Sequence, residues 1–267
     1  MSAELTRARQ QLSQIRGYLR QGKVMPAAQA FQSALVIVLK SPLMRAEREE
    51  FERMFADAAH HLNNDAGLRA LFPLKIEYLP GSEKELLDII RELVTAVNNA
   101  AVTEAQEQLA ALDARKAAGL EQGQAHLDAQ EFDAAAAVFR QLSHEFKDDP
   151  QLRGEIGERF LKAGRYEEAF DYLAQALDLS PESIHLYNRI GIALRRLGRF
   201  ETGEKYYLRA LQYAGHDPNL LFNLGRLYVD WQRWDKVAKA AAAALRVNPA
   251  FDEARKMLEF AERKLQR

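Results

Sequence analysis

From Lys116 onward the apolar positions follow a helical spacing, and the same set returns every 34 residues. Ile156 and Phe160, Ile190 and Leu194, and Leu224 and Tyr228 are pairs four apart, one pair per period. Gly123, Gly157, Gly191 and Gly225 keep the same register inside stretches that otherwise read as helix. A glycine there costs about 1 kcal/mol relative to alanine, so the column needs a shared packing reason. An aromatic column (Phe132, Tyr166, Phe200, Trp234) and a small or apolar column (Ala135, Ala169, Gly203, Val237) follow in each period. Polar turn signals separate the two halves of a period at Gly164-Arg165-Tyr166, Gly198-Arg199-Phe200 and Gln232-Arg233-Trp234. The pattern predicts two helices per unit, with units at 116–149, 150–183, 184–217 and 218–251. The glycine of the first helix is expected to face the small residue of the second. Asp149-Pro150 and Asp217-Pro218 set an acid before a proline at a helix start. Residues 252–267 read as a capping helix, with Ala254, Met257, Leu258, Ala261 and Leu265 on its apolar side.

The first 115 residues lack this register. Leu5 to Gln21, Met25 to Lys40 and Leu43 to Leu62 read as three helices by apolar spacing. Tyr18, Gly22, Ala27, Phe31 and Ala34 echo the later columns, which makes 8–41 a candidate degenerate unit. A short helical turn is expected over Leu68 to Pro73, extended chain over Lys75 to Leu79, and a turn at Pro80-Gly81. Ser82 to Glu85 reads as a capping box for a helix with Leu86, Ile90, Leu93 and Val97 on one face. A break is expected at Asn98-Asn99.

The run Ile190-Gly191, Leu194, Gly198-Arg199-Phe200, Tyr207, Ala210-Leu211 resembles the tetratricopeptide repeat. So does Ile156-Gly157, Phe160, Gly164-Arg165-Tyr166, Ala169, Ala176-Leu177, ending at Pro181. The unit from Pro218 matches except at Val237, where the family prefers alanine, and the unit from Lys116 has Gln122 and His126 at usually apolar positions. The resemblance covers about 116–267. It implies an all-α fold, a right-handed superhelix of helix-turn-helix repeats (an α-solenoid), with an N-terminal helical region at 1–115.

Composition narrows the chemistry. Net charge is −1 and the pI is near 6.6, which argues against a general nucleic-acid or anionic-membrane binder. With no cysteine there are no disulfides and no thiolate metal sites or nucleophiles. The first twenty residues are charged and carry no signal-peptide core, so a cytoplasmic location is expected. His60 and His61 are adjacent, about 100° apart on a helix, and read as hydrogen-bonded or solvated histidines rather than metal ligands. His126 reads as a partly buried packing residue. No phosphate loop, zinc-protease motif or nucleophile elbow occurs, so no cofactor, metal or catalytic residue is expected.

Charge within the repeats is polarised. Residues 116–149 hold three Lys or Arg against seven Asp or Glu, and 150–183 hold four against seven. Residues 184–217 hold six against three, and 218–251 hold five against two. Random variation of surface charge is the plain alternative. In the family the concave groove is lined by first helices. By phase the resemblance implies His185, Asn188, Arg189, Ile192, Arg195 and Arg196 from one unit as groove residues. Asn219, Phe222, Asn223, Arg226 and Val229 come from the next. Asparagines can bond a peptide backbone, arginines can fork onto carboxylates, and Phe222 offers an apolar anchor. The five-residue carboxylate clamp of chaperone-binding relatives is not matched in any frame. From Lys116 its positions hold Leu120, Gln124, Glu155, His185 and Arg189, of which only the arginine fits. The expected function is that of a non-enzymatic adaptor or scaffold binding a protein or peptide segment, acidic in character. The alternatives are a structural, self-assembling subunit and, least favoured, an enzyme with an N-terminal site. Oligomeric state is not legible.

Overall fold

The structure, a computed structural model, describes residues 3–266. It is all-α, with thirteen helices among the described residues. The chain divides into two compact units, Met1–Ala111 and Leu112–Arg267.

In unit 1, α1 (Ala3–Arg20) and α2 (Val24–Lys40) form a hairpin, followed by α3 (Arg45–Asn64) and the short α4 (Ala66–Leu71). Leu5, Ile15, Phe31, Leu35, Phe51, Phe55 and Leu62 share one core with Leu86, Ile90, Leu93 and Val97 of α5 (Glu83–Asp128). Residues 75–79 carry no regular structure, as expected. The Asn63 amide holds them, donating to Ile76 O at 2.8 Å and accepting from Ile76 N–H at 2.9 Å, so one side chain satisfies both peptide groups of an otherwise unpaired residue. The Ser82 hydroxyl turns back, donating to Leu79 O and accepting from Leu79 N–H, and closes the turn before α5 rather than capping the helix.

The break expected at Asn98-Asn99 does not occur, and α5 runs on for 46 residues. Each asparagine costs at most about 0.7 kcal/mol in helix propensity, and the alanine-rich segment after them offsets that.

In unit 2 the end of α5 pairs with α6 (Phe132–Glu145). Then come α7 (Pro150–Lys162) with α8 (Tyr166–Leu179), α9 (Ile184–Arg196) with α10 (Phe200–Ala214), and α11 (Pro218–Asp230) with α12 (Trp234–Val247). The closing helix is α13 (Asp252–Leu265). Second helices start on the aromatic column. The Asp149 and Asp217 carboxylates cap α7 and α11 by accepting from Leu152 N–H and Leu220 N–H, beside prolines whose fixed φ suits the first turn. The turn of every unit uses a left-handed residue, Gln130, Gly164, Gly198 and Gln232, with φ of 60°, 75°, 70° and 58°.

The glycine column packs against a larger residue in addition to the small one expected. A Cβ at Gly123 would lie 2.2 Å from the Phe139 ring, at Gly157 2.6 Å from Leu173, and at Gly191 2.3 Å from the Tyr207 ring. The glycine therefore makes room for the large residue sixteen positions on, and the small column faces it as well, with Ala169 O 3.2 Å from a Cβ added at Gly157 and Gly191 O 3.9 Å from one added at Gly203. In the last unit that residue is Ala241, and Met257 of α13 fills the gap against Gly225 instead. This is how the cap locks on. Its Ala254 and Ala261 are buried, but Leu265, expected on the apolar side, is exposed.

Gln122 is exposed where Ile156 and Ile190 are fully buried. That position becomes core only where a preceding unit packs over it, and α5 provides no such second helix.

Candidate partner-binding groove

Helices α7, α9 and α11 are neighbours in the array, and their side chains meet in a ladder whose rungs join one unit to the next. Arg159 donates through Nη1 to Gln124 Oε1 at 3.0 Å, and Asn223 donates through Nδ2 to Asn188 Oδ1 at 2.9 Å. Arg195 Nη1 lies 3.5 Å from Asp230 Oδ2. Each rung spans 35 residues, one repeat plus one position, which is the offset between side chains that face across adjacent first helices. Glu158 is a hub. It bonds His185 Nε2 and lies 3.2 Å from Arg189 Nε. Burial works to raise its pKa, but the hydrogen bond to His185 and the charge of Arg189 outweigh it and hold the carboxyl below its usual range.

The structure thus brings the sequence-predicted residues onto neighbouring helices, yet several are already engaged. His185 and Arg189 share Glu158, Asn188 and Asn223 bond each other, and Arg195 is paired with Asp230. Phe222 is half-buried with its ring 5.0 Å from that of Phe251, which anchors the start of α13. Ile192 is half-buried, and Asn219 is exposed at the start of α11. Arg196 and Arg226 are exposed and have no carboxylate partner among the described residues. Phase reasoning passed over Glu158 and Asp230. The signal was present, because Glu158 is one repeat before Ile192 and Asp230 one repeat after Arg196, both in groove columns.

His126 is partly buried, its Nδ1 2.6 Å from Glu131 Oε2. Among the described residues no set of three His, Asp or Glu side chains is placed to hold a metal ion, and no helix is long and apolar enough to cross a membrane.

Models of the tetratricopeptide repeat match residues 120–184 and 184–217. None of the curated proteins compared with the chain matches it. Among solved structures, a MamA protein aligns at 17% identity and TM-score 0.47, covering 55% of this chain and 80% of its own. MamA from Desulfovibrio magneticus RS-1 aligns at 18% identity and TM-score 0.47, covering 57% and 85%. The first such domain of Spaghetti (RPAP3), solved with an HSP90 peptide, aligns at 22% identity and TM-score 0.42, covering 44% and 94%. The repeat is typically a non-catalytic protein-interaction module. Residues 120–217 carry the tetratricopeptide repeat.

Proposed function

We propose that the protein is an adaptor whose first-helix face in unit 2 binds an acidic segment of a partner protein, in extended or helical form. The observation that carries the reading is the imbalance at the C-terminal end of that face. Arg189 and Arg195 have internal carboxylates, while Arg196 and Arg226 stand exposed without one. An acidic segment would gain charge-assisted hydrogen bonds there and lose them as salt is raised. The engaged residues shape the face rather than contact the ligand first. Asn188 with Asn223, and Glu158 with His185 and Arg189, hold adjacent first helices in register. Phe222, seated on Phe251, offers its half-exposed ring edge as an apolar contact.

The test is reversal of the free charges. Partners are first captured from the native host by the wild-type protein and identified, and one is purified. Arg196→Glu with Arg226→Glu is expected to abolish its binding, and rising salt is expected to weaken the wild-type complex. Circular dichroism and melting temperature should change little, because neither arginine has an ion pair to lose. Unchanged affinity in the double variant would remove this face as the site.

A further inference from the structure

The third repeat breaks the apolar pattern at two positions. The residue sixteen after the first-helix glycine is Phe139, Leu173 or Ala241 in the other units, and Tyr207 here. The residue four after the glycine is Leu127, Leu161 or Val229 elsewhere, and Arg195 here. Two columns that are apolar in the other units, one in the core and one on the groove side, therefore turn polar in the same unit.

The fold brings the exceptions together. Tyr207 reaches from α10 under Gly191, where an added Cβ would lie 2.8 Å from its hydroxyl oxygen. Its side chain is fully buried, and the hydroxyl has no hydrogen-bond partner among the described residues. One turn along α9, the Arg195 side chain is 9% exposed. Arg226 of α11 stands 35 residues from Gly191, the offset of the rungs that face across adjacent first helices, and its charge acts on both Arg195 and Tyr207. Burial first, and then the Arg226 charge, push the Arg195 pKa below its usual value, with Asp230 opposing. Asp230, half-exposed, lies 3.5 Å from Arg195, while Arg226 has no carboxylate partner among the described residues. A buried arginine and an unbonded phenol are costly where leucine and phenylalanine would serve, and such groups persist where a ligand completes them.

We infer that Arg195 and Arg226, with the Tyr207 hydroxyl behind them, form a seat for one carboxylate side chain of the bound segment. The inference rests on the acidic-segment reading and adds where the charge lands. The incoming carboxylate takes the place that Asp230 holds beside Arg195. It accepts from both guanidiniums, and the phenol is the spare donor that completes its shell. Arg195, Arg226 and Tyr207 are not among the carboxylate-clamp positions counted from Lys116.

The test uses two blocked peptides of five residues, pentaglutamate and pentaglutamine, titrated calorimetrically at low ionic strength. Pentaglutamate is expected to bind the wild-type protein and pentaglutamine not to. Arg226→Gln and Arg195→Leu, the latter giving the third unit the residue of the second, should each weaken pentaglutamate binding about tenfold or more. Tyr207→Phe should also weaken it about tenfold while raising the melting temperature, because the unbonded hydroxyl is gone. A tyrosine that only packs would raise the melting temperature and leave affinity unchanged. Equal binding of pentaglutamate to wild type, Tyr207→Phe and Arg195→Leu overturns the seat and leaves the acidic groove standing. Equal binding of both peptides overturns the seat and the acidic preference together, and leaves a groove that ignores charge. If neither peptide binds, both the seat and the groove reading fail.

Discussion

In unit 1, α1 hands over to α2 through Gly22 at φ 68°, and Lys23 N–H donates to Tyr18 O at 2.9 Å. In unit 2, α9 hands over to α10 through Gly198 at φ 70°, and Arg199 N–H donates to Leu194 O at 2.9 Å. The left-handed residue and the six-residue hydrogen bond are the same, and they satisfy the last carbonyls of the first helix in both places. Nine residues after the left-handed glycine, both hairpins bury an aromatic, Phe31 and Tyr207. Seven residues before it they diverge. Unit 2 has Gly191, and unit 1 has Ile15, fully buried. The difference separates two jobs that a repeat signature merges. The turn needs a residue that tolerates positive φ. The helical glycine answers only to the space beside it. We propose that α1–α2 is a repeat hairpin in which an aliphatic side chain has replaced that glycine.

The sharpest way to break this comparison is to exchange the two residues. Ile15→Gly removes a fully buried aliphatic side chain and puts glycine in a helix interior. Loss of the side chain costs about 2–5 kcal/mol, and the glycine about 1 more. Gly191→Ala, by contrast, adds only one methyl. On an open helix face it would gain about 1 kcal/mol, but here the methyl would sit 2.3 Å from the Tyr207 ring, which cannot fold aside. Overpacking of that kind costs about 1–3 kcal/mol. Denaturant melts of both variants decide the matter. A Gly191→Ala protein as stable as wild type would mean that the glycine column has no packing role.

The helical period is enough to place the helix pairs, their turns and the helix caps, because each rests on local signals such as Asp149-Pro150 and Gly198-Arg199-Phe200. It does not say that the glycine also makes room for the large residue sixteen positions on. A recurrence of 34 fixes that two residues meet somewhere along paired helices, not how the helices are rotated about their axes. Tyr207 was therefore legible as a repeat residue and not as the ring beside Gly191. The candidate groove shows the same limit. Phase put Arg189, Arg195 and Arg226 on one face, but counting charges along the chain could not reveal that Glu158 and Asp230 come from the next helices to neutralise two of them. The continuity of α5 past Asn98-Asn99 was missed for a different reason. Two weak helix formers read as a break, although the alanines after them carry the helix through.

Gly203 gives a smaller effect and sharpens the point within one unit. It occupies the column of Ala135, Ala169 and Val237, so sequence alone expects Gly203→Ala to gain about 0.4–1 kcal/mol through the unfolded state. In the structure the new methyl would come within 2.5 Å of Leu227 Cδ1, the end of a side chain that is itself fully buried. Leu227 can rotate, but only into packed surroundings. The two effects nearly cancel, and a net loss of up to about 1 kcal/mol is expected. A gain in melting temperature would show that Leu227 has room to move and that this unit is as loosely packed as its neighbours.

The smallest effect tests the turn half of the comparison. Gln130 and Gln232 hold the left-handed position at φ 60° and 58°, where the other turns have glycine. A side chain in that conformation costs about 1 kcal/mol, because Cβ crowds the following carbonyl oxygen. Gln232→Gly relieves that cost but adds freedom to the unfolded chain, which takes back about 0.4–1 kcal/mol. The net gain should be about 0.5 kcal/mol or less, a shift of a degree or two in melting temperature. Gly198→Gln runs the exchange in reverse and should lose a similar amount, since nothing lies within 4 Å of a Cβ added there and the strain is purely that of the backbone. The two changes should be nearly equal and opposite. If Gly198→Gln instead cost as much as Gly191→Ala, the turn glycine would be answering to packing as well as to φ. The division of labour drawn from Ile15 and Gly191 would then fail at the turn.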